Sequence, residues 1–177
     1  MRKTTAILAG ISTTALLLYG TSPAQAAEAE SPPPAEQVAS EAPGPIGTMG
    51  AAGSAAIGTF KYTFGGTTIT VPTGCFLTHV IKGSGKKITS QTAGVDCVGV
   101  AALATRFCNT QLEFHYADTA GKTYKIQRGP LNTTCKTGTV STYSDTTSKT
   151  LPSYGKACAH LYVNGSRRSV QCHYITQ

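Results

Sequence analysis

The chain has 177 residues, a formal net charge of +7 and six cysteines. That length suits one domain of roughly 100–150 residues with its own core. Beyond the N-terminal region no apolar stretch reaches the roughly 20 residues of a membrane-spanning helix. The glycine patterns of nucleotide-binding loops are also absent. These observations exclude a polytopic membrane protein and the common nucleotide-binding folds.

Residues 1–26 have the three parts of a secretory signal peptide. Arg2 and Lys3 form a positive start, an apolar stretch follows, and Ala24-Gln25-Ala26 is a small-residue cleavage site. The alternative is a membrane anchor, but the apolar stretch is too short and is rich in Thr and Gly. We therefore predict a secreted, extracellular protein without a membrane span, which begins near Ala27 after cleavage.

Residues 27–56 are predicted to form a disordered tail. Ala, Pro, Glu, Gly and Ser dominate this segment and aromatic residues are absent. Such a composition buries too little apolar surface to offset the entropy cost of ordering the chain. A pro-segment that is removed later is the alternative. Residues 57–177 then form a single domain.

The six cysteines all lie in the predicted domain. An even number of cysteines in an exported chain predicts three disulfides that stabilise a small fold. The alternative is a metal site, but no close pair such as C-x-x-C is present, so we expect no metal ion and no cofactor. The cysteines are Cys75, Cys97, Cys108, Cys135, Cys158 and Cys172.

Short β-prone segments separated by turn residues follow one another through the domain. Residues 60–64 and 67–71 flank Gly65-Gly66, which is a strong hairpin signal. Residues 96–108 are rich in Ala and Val and predict either a short helix or a buried strand. Residues 133–153 are rich in Thr and Ser and predict a long loop or poorly paired strands. We predict an all-β, antiparallel sandwich or barrel of short strands, braced by disulfides, with at most one short helix.

Residues 112–128 predict a hairpin with a three-residue loop, Thr119-Ala120-Gly121, in which Gly121 is left-handed. This register sorts apolar from polar side chains on both strands. It pairs Phe114 with Ile126, Tyr116 with Tyr124, Glu113 with Gln127, and His115 with Lys125.

The last hairpin is predicted over residues 158–175. Asn164-Gly165 is a strong turn signal. A three-residue loop, Asn164-Gly165-Ser166, would place Cys158 directly opposite Cys172, within the roughly 4.4–6.8 Å Cα separation that a disulfide requires. We favour this pairing and leave the other two open.

Residues 107–174 resemble small exported proteins of filamentous actinobacteria that have no assigned function. No active residue is known for such proteins, so the resemblance implies none here. The stretches that carry it are residues 116–124, Gly155-Lys156-Ala157-Cys158, Val163-Asn164-Gly165 and Gln171-Cys172-His173.

Two groups of side chains are candidates for a site. In the predicted register Glu113, His115 and Lys125 share one strand face, and Arg128 is near. A carboxylate, an imidazole and cations are the groups that an acid–base nuclease uses, so Glu113 and His115 are the catalytic candidates. The alternative is a solvated face of an antiparallel sheet.

The second group lies on the last hairpin and comprises His160, Arg167, Arg168 and His173, which together with Tyr162 could bind an anion in a pH-sensitive way. The alternative is an exposed polar edge whose charges prevent pairing with another sheet.

Thirteen Lys and Arg against four acids give residues 57–177 a net charge of +9. This charge predicts either a polyanion partner or simply good solubility. We expect a monomeric, non-enzymatic binding module for an acidic partner: a wall polymer, a nucleic acid or another secreted protein. The alternatives are a small hydrolase such as a ribonuclease that uses Glu113 and His115, and an inhibitor or toxin that acts through an exposed loop.

Overall fold

The computed structural model describes residues 50–177. The predicted signal peptide and residues 27–49 of the predicted tail lie outside the described residues. The described part of the chain folds into short antiparallel strands and one helix of five residues. In chain order the elements are β1 (Ala51–Ile57), β2 (Phe60–Phe64), β3 (Thr67–Val71), β4 (Cys75–Ser84), β5 (Lys87–Cys97), α1 (Val100–Ala104), β6 (Arg106–Phe107), β7 (Thr110–Asp118), β8 (Thr123–Arg128), β9 (Lys136–Thr137), β10 (Tyr143–Asp145), β11 (Lys149–Thr150), β12 (Gly155–Val163) and β13 (Ser166–Ile175).

Two main sheets enclose the core. The first sheet has the strand order β1-β4-β5-β10, with β11 also pairing with β5, and the second has the order β13-β12-β7-β8. Side chains alternate along each strand, so one face of each sheet supplies core residues such as Leu77 and Val95 from the first sheet and Phe114 and Leu161 from the second. The predicted all-β, antiparallel fold with one short helix is confirmed.

Strand β1 corrects the predicted boundary of the tail at residue 56. It pairs with β4 along its whole length, from Ala51 opposite Ile81 to Ile57 opposite Cys75. A Cβ added at Gly53 would lie 3.1 Å from the His173 ring, so small residues let β1 approach β13 closely. Composition misled the prediction because a strand of small residues can take its stability from neighbours rather than from its own apolar surface.

The hairpin formed by β2 and β3 turns at Gly65-Gly66, as predicted. Its Tyr62 hydroxyl donates to the carbonyl oxygen of Arg106 (2.9 Å) and accepts from the Cys108 amide (2.8 Å). These two hydrogen bonds fasten the hairpin to the segment between α1 and β7.

The hairpin formed by β7 and β8 keeps the predicted loop but not the predicted register. Gly121 has a φ of 82° and its amide donates to the Asp118 carbonyl (3.0 Å). Beyond the loop a β-bulge leaves Tyr124 without a partner and shifts the pairing by one residue. Glu113 therefore pairs with Arg128, His115 with Ile126, and Tyr116 with Lys125.

The last hairpin confirms the Cys158–Cys172 disulfide and corrects the loop. The turn contains two residues, Asn164 (φ 52°) and Gly165 (φ 76°), which is the conformation that twisted hairpins favour. A bulge at Arg168 then supplies the extra residue, so that Cys158 still lies opposite Cys172.

The other two disulfides join Cys75 to Cys97, across β4 and β5, and Cys108 to Cys135. The predicted set of three disulfides is therefore confirmed. Within residues 50–177, no helix is long and apolar enough to cross a bilayer.

Candidate functional site

The second sheet has an outer face, which is the face turned away from the core. Leu112, Phe114 and Tyr116 of β7 point into the core, so Glu113 and His115 point outward. Neighbouring strands add their own alternate residues to this face. The outer face is defined here by Gln111, Glu113 and His115 of β7, Ile126 and Arg128 of β8, Lys156, Cys158, His160 and Tyr162 of β12, and Arg167, Val170, Cys172 and Tyr174 of β13.

Glu113 lies at the centre of the outer face between His115 and Arg128. The His115 Nε2 donates to Glu113 Oε2 (2.8 Å), and the Arg128 Nε donates to Glu113 Oε1 (3.0 Å). The Glu113 side chain is only 7% exposed, whereas that of Arg128 is 66% exposed. The carboxylate therefore fixes the ring of His115 and the Nε end of the Arg128 guanidinium. The remaining nitrogens of that guanidinium stay in solvent.

His160 completes this cluster from the adjacent strand. It pairs with Glu113 across β7 and β12, and its ring stacks on that of His115 with centroids 3.7 Å apart and planes 4° apart. Burial, together with the nearby His115 and Arg167, lowers the pKa of His160 from 6.5 to about 3. His160 is therefore neutral at pH 7, which avoids repulsion within the stack.

Lys125 does not belong to this cluster, contrary to the predicted register. The bulge at Tyr124 places it opposite Tyr116, whose side chain points into the core, so Lys125 lies on the other side of β8 from Arg128. Its side chain is exposed.

The second predicted group is divided between two faces. His173 points into the core, where its Nε2 donates to the His79 carbonyl oxygen (3.0 Å). The Arg168 guanidinium lies over the Phe60 ring, 4.3 Å from its centroid, because the bulge turns Arg168 away from the outer face. Only His160 and Arg167 remain on the outer face, so the predicted four-residue anion site is not formed.

Aromatic rings and cations alternate on the rest of the outer face. Tyr174 is exposed, and the Lys156 Nζ lies 5.0 Å from its ring centroid. Tyr162 lies beside His160, with ring centroids 6.4 Å apart, and pairs across the hairpin with the exposed Arg167. Flat rings beside cations are suited to anionic ligands that also carry rings.

Sequence reasoning missed a polar network between the two sheets. The Lys149 Nζ donates to the Tyr116 hydroxyl (3.2 Å) and to Gln127 Oε1 (2.7 Å), and it forms an ion pair with Asp145. Gln91 also donates to the Tyr116 hydroxyl. No sequence pattern marks this network, because Asp145 and Lys149 lie in the Thr-rich and Ser-rich segment that predicted a long loop or poorly paired strands; they lie on the short strands β10 and β11.

The Asp145 carboxylate is ionised in this network. Burial alone would raise its pKa, but hydrogen bonds from Lys149 and the Thr147 amide outweigh burial and lower the pKa to about 2. Burial alone would lower the pKa of Lys149, but its contacts with Asp145 and Tyr116 outweigh burial and raise it. The pair is internally neutralised and holds β10 and β11 against the second sheet.

No group of three or more His, Cys, Asp or Glu side chains in residues 50–177 is arranged to hold a metal ion. Comparisons with protein-family models, curated proteins and solved structures found no match. The resemblance to exported actinobacterial proteins therefore stays a prediction.

Proposed function

We propose that this protein is a secreted, non-enzymatic binding module whose outer face binds a polyanion, with single-stranded nucleic acid as the best-fitting class. The observation that supports the proposal is that cations and aromatic rings alternate on one sheet face, where Arg167 and Tyr174 are exposed and Lys156 and Tyr162 are half-buried. Lys156 and Arg167 would contact phosphates, and Tyr174 and Tyr162 would stack on bases.

The charge of the described residues favours the same partner class. Thirteen Lys and Arg stand against four acids in residues 50–177. Glu113 and Asp145 are internally paired, which leaves Asp96 and Asp118 to offset the surface cations. A surface of this kind attracts polyanions from a distance and releases counterions on binding.

The test is fluorescence anisotropy of a labelled single-stranded oligonucleotide across a salt series. The variant Lys156→Ser/Arg167→Ser removes two outer-face cations. Its matched control, Lys82→Ser/Lys87→Ser, removes two exposed cations from β4 and β5 of the first sheet. The outer-face variant should lower the slope of log affinity against log salt by about 1–2, and the control should lower it far less.

Equal losses in the two variants would mean that charge acts without a defined face and would contradict the proposal. Absence of binding at low salt would contradict any polyanion partner. Replacing Tyr174 with Leu should weaken binding to the oligonucleotide but not to heparin, which has no bases to stack.

A ribonuclease is the second candidate, favoured by the 2.8 Å contact between His115 and Glu113 and by the adjacent Arg128. In that reaction the 2′-hydroxyl attacks phosphorus while His115 accepts the hydroxyl proton. A 2′,3′-cyclic phosphate forms, and the bond from phosphorus to the 5′-oxygen breaks as that oxygen takes up the proton and leaves as an alcohol. Glu113 would orient His115, and Arg128 would bind the phosphate.

RNA integrity, measured in the same binding reaction, separates the two candidates. A nuclease would cleave RNA but not DNA, and His115→Gln would abolish cleavage while the fold is kept. A binding module would leave RNA intact, and the same variant would keep its affinity.

A further inference from the structure

The helix α1 presents aliphatic side chains to solvent. Val100 and Leu103 are each 83% exposed, and Val98, just before the helix, is 58% exposed. These are the three most exposed large apolar residues of the described chain. We call Val98, Val100 and Leu103 the apolar tip. Single exposed apolar residues are ordinary, but three within six consecutive residues indicate a contact surface.

The apolar tip is held rigidly, so its exposure does not result from fraying. The Cys75–Cys97 disulfide precedes it and the Cys108–Cys135 disulfide follows it. Ala101, on the opposite side of the helix, is buried. The helix ends with the Thr105 amide donating to the carbonyl oxygen of Ala101 (3.0 Å). A rigid apolar surface loses little entropy when it binds.

Cations flank the apolar tip. Arg106 lies two residues after the end of α1 and is exposed, and Lys136 of β9, which pairs with Phe107, is exposed as well. The segment after β9 packs closely against the helix. Gly138 is so near Ala102 that a Cβ added to it would lie 3.1 Å from the Ala102 Cα. An acidic residue, Asp96, also lies at this end of the molecule, on the outer face of the first sheet.

We propose that the apolar tip and its flanking cations dock on the surface of an anionic lipid bilayer. Three aliphatic side chains cover far less area than the roughly 800 Å² that each partner buries in a stable protein interface. A few inserted aliphatic groups next to basic residues are sufficient for reversible attachment to anionic lipid. Arg106 and Lys136 would contact the negatively charged headgroups, and Val100 and Leu103 would insert at the boundary of the acyl chains.

The test measures co-sedimentation with vesicles of phosphatidylcholine containing phosphatidylglycerol, and with vesicles of phosphatidylcholine alone. The protein is the chain from Ala27 onward, which keeps every described core residue and disulfide and omits the apolar stretch of residues 8–18 that could bind lipid by itself. Val100→Ser/Leu103→Ser should reduce the partition constant for the anionic vesicles about tenfold or more. Val80→Ser, which removes an exposed valine from β4, is the matched control and should bind like the parent.

Each result supports or overturns the proposal. Binding to anionic vesicles that the tip variant loses and that neutral vesicles do not support is the expected result. Binding that survives the tip substitutions would overturn it, as would no binding by the parent protein. A parent that is dimeric in solution and becomes monomeric in the tip variant would assign the tip to a contact between copies instead. Far-ultraviolet circular dichroism and intact disulfides verify that each variant is folded.

Because the outer face lies on the second sheet, Lys156→Ser/Arg167→Ser should keep the dependence of vesicle binding on the apolar tip. Failure of this proposal is therefore separable from failure of the polyanion proposal.

Discussion

His79 should make the folded protein sensitive to mild acid. Its imidazole is fully buried between the sheets, and its polar neighbours, Gln91 and the Gln171 backbone, make no hydrogen bond of ordinary geometry with the ring nitrogens. It stacks on Phe114, with centroids 5.5 Å apart, and lies 4.9 Å from the His173 ring. Burial, reinforced by the neighbouring His173, lowers the pKa of His79 from 6.5 to about 3.

The magnitude follows from proton linkage. Below pH 6.5 the unfolded chain protonates His79, whereas the folded protein keeps it neutral until the pH approaches 3. The contribution of the neutral His79 to the free energy of unfolding is therefore fully present above pH 6.5. It is lost as the pH falls, at about 1.4 kcal/mol per pH unit. Between pH 6.5 and about pH 4.5 this amounts to roughly 2.7 kcal/mol, a large part of the 5–15 kcal/mol typical of a domain. His160, with its pKa also lowered to about 3, acts in the same direction.

The assay is urea unfolding of the parent and of His79→Phe from about pH 7.5 to pH 4.5. Phenylalanine keeps an aromatic ring against Phe114 and leaves no unpaired polar atom. The free energy of unfolding of the parent should fall relative to that of the variant by about 2–3 kcal/mol over this range. Carboxylates titrate equally in both proteins, so they cancel in the difference. Parallel curves would refute the reasoning, because they would show that folding does not suppress protonation of His79.

Two further predictions concern what holds the second sheet together. Replacing both Cys158 and Cys172 with Ala should reduce the free energy of unfolding by about 3 kcal/mol in urea, because the disulfide closes a loop with a sequence separation of 14; an unchanged midpoint would contradict this. Lys149→Met should cost about 3–5 kcal/mol at pH 7, because it leaves the buried Asp145 carboxylate without its ammonium partner. The cost should shrink when Asp145→Asn is added, and a Lys149→Met protein as stable as the parent would show that the pair contributes nothing.

Part of the candidate site was predictable from the period of a strand. Residues two apart on β7 share a face, so Glu113 and His115 had to lie together whatever the pairing. His160 and Arg128 joined them only through strand pairing. His160 is 47 positions from Glu113, and no local pattern indicates that β12 would lie beside β7. Arg128 reached Glu113 through the bulge at Tyr124, which changed the facing residue.

Local features of the sequence by themselves determined the antiparallel strands and the turns at Gly65-Gly66 and Asn164-Gly165. Each depends on residues near in the chain or on turn chemistry that few residue types satisfy. The predicted pairing of Cys158 with Cys172 also holds, but it depends on the bulge at Arg168 and not on the loop length from which it was predicted.

Only the tertiary structure decided which side chains share the outer face, which imidazoles are buried, and that a strand of small residues at 51–57 completes the first sheet. One bulge moves every later side chain of a strand to the opposite face, and burial depends on neighbours from distant segments. Those two effects separated Lys125, Arg168 and His173 from the sites that the sequence had predicted for them.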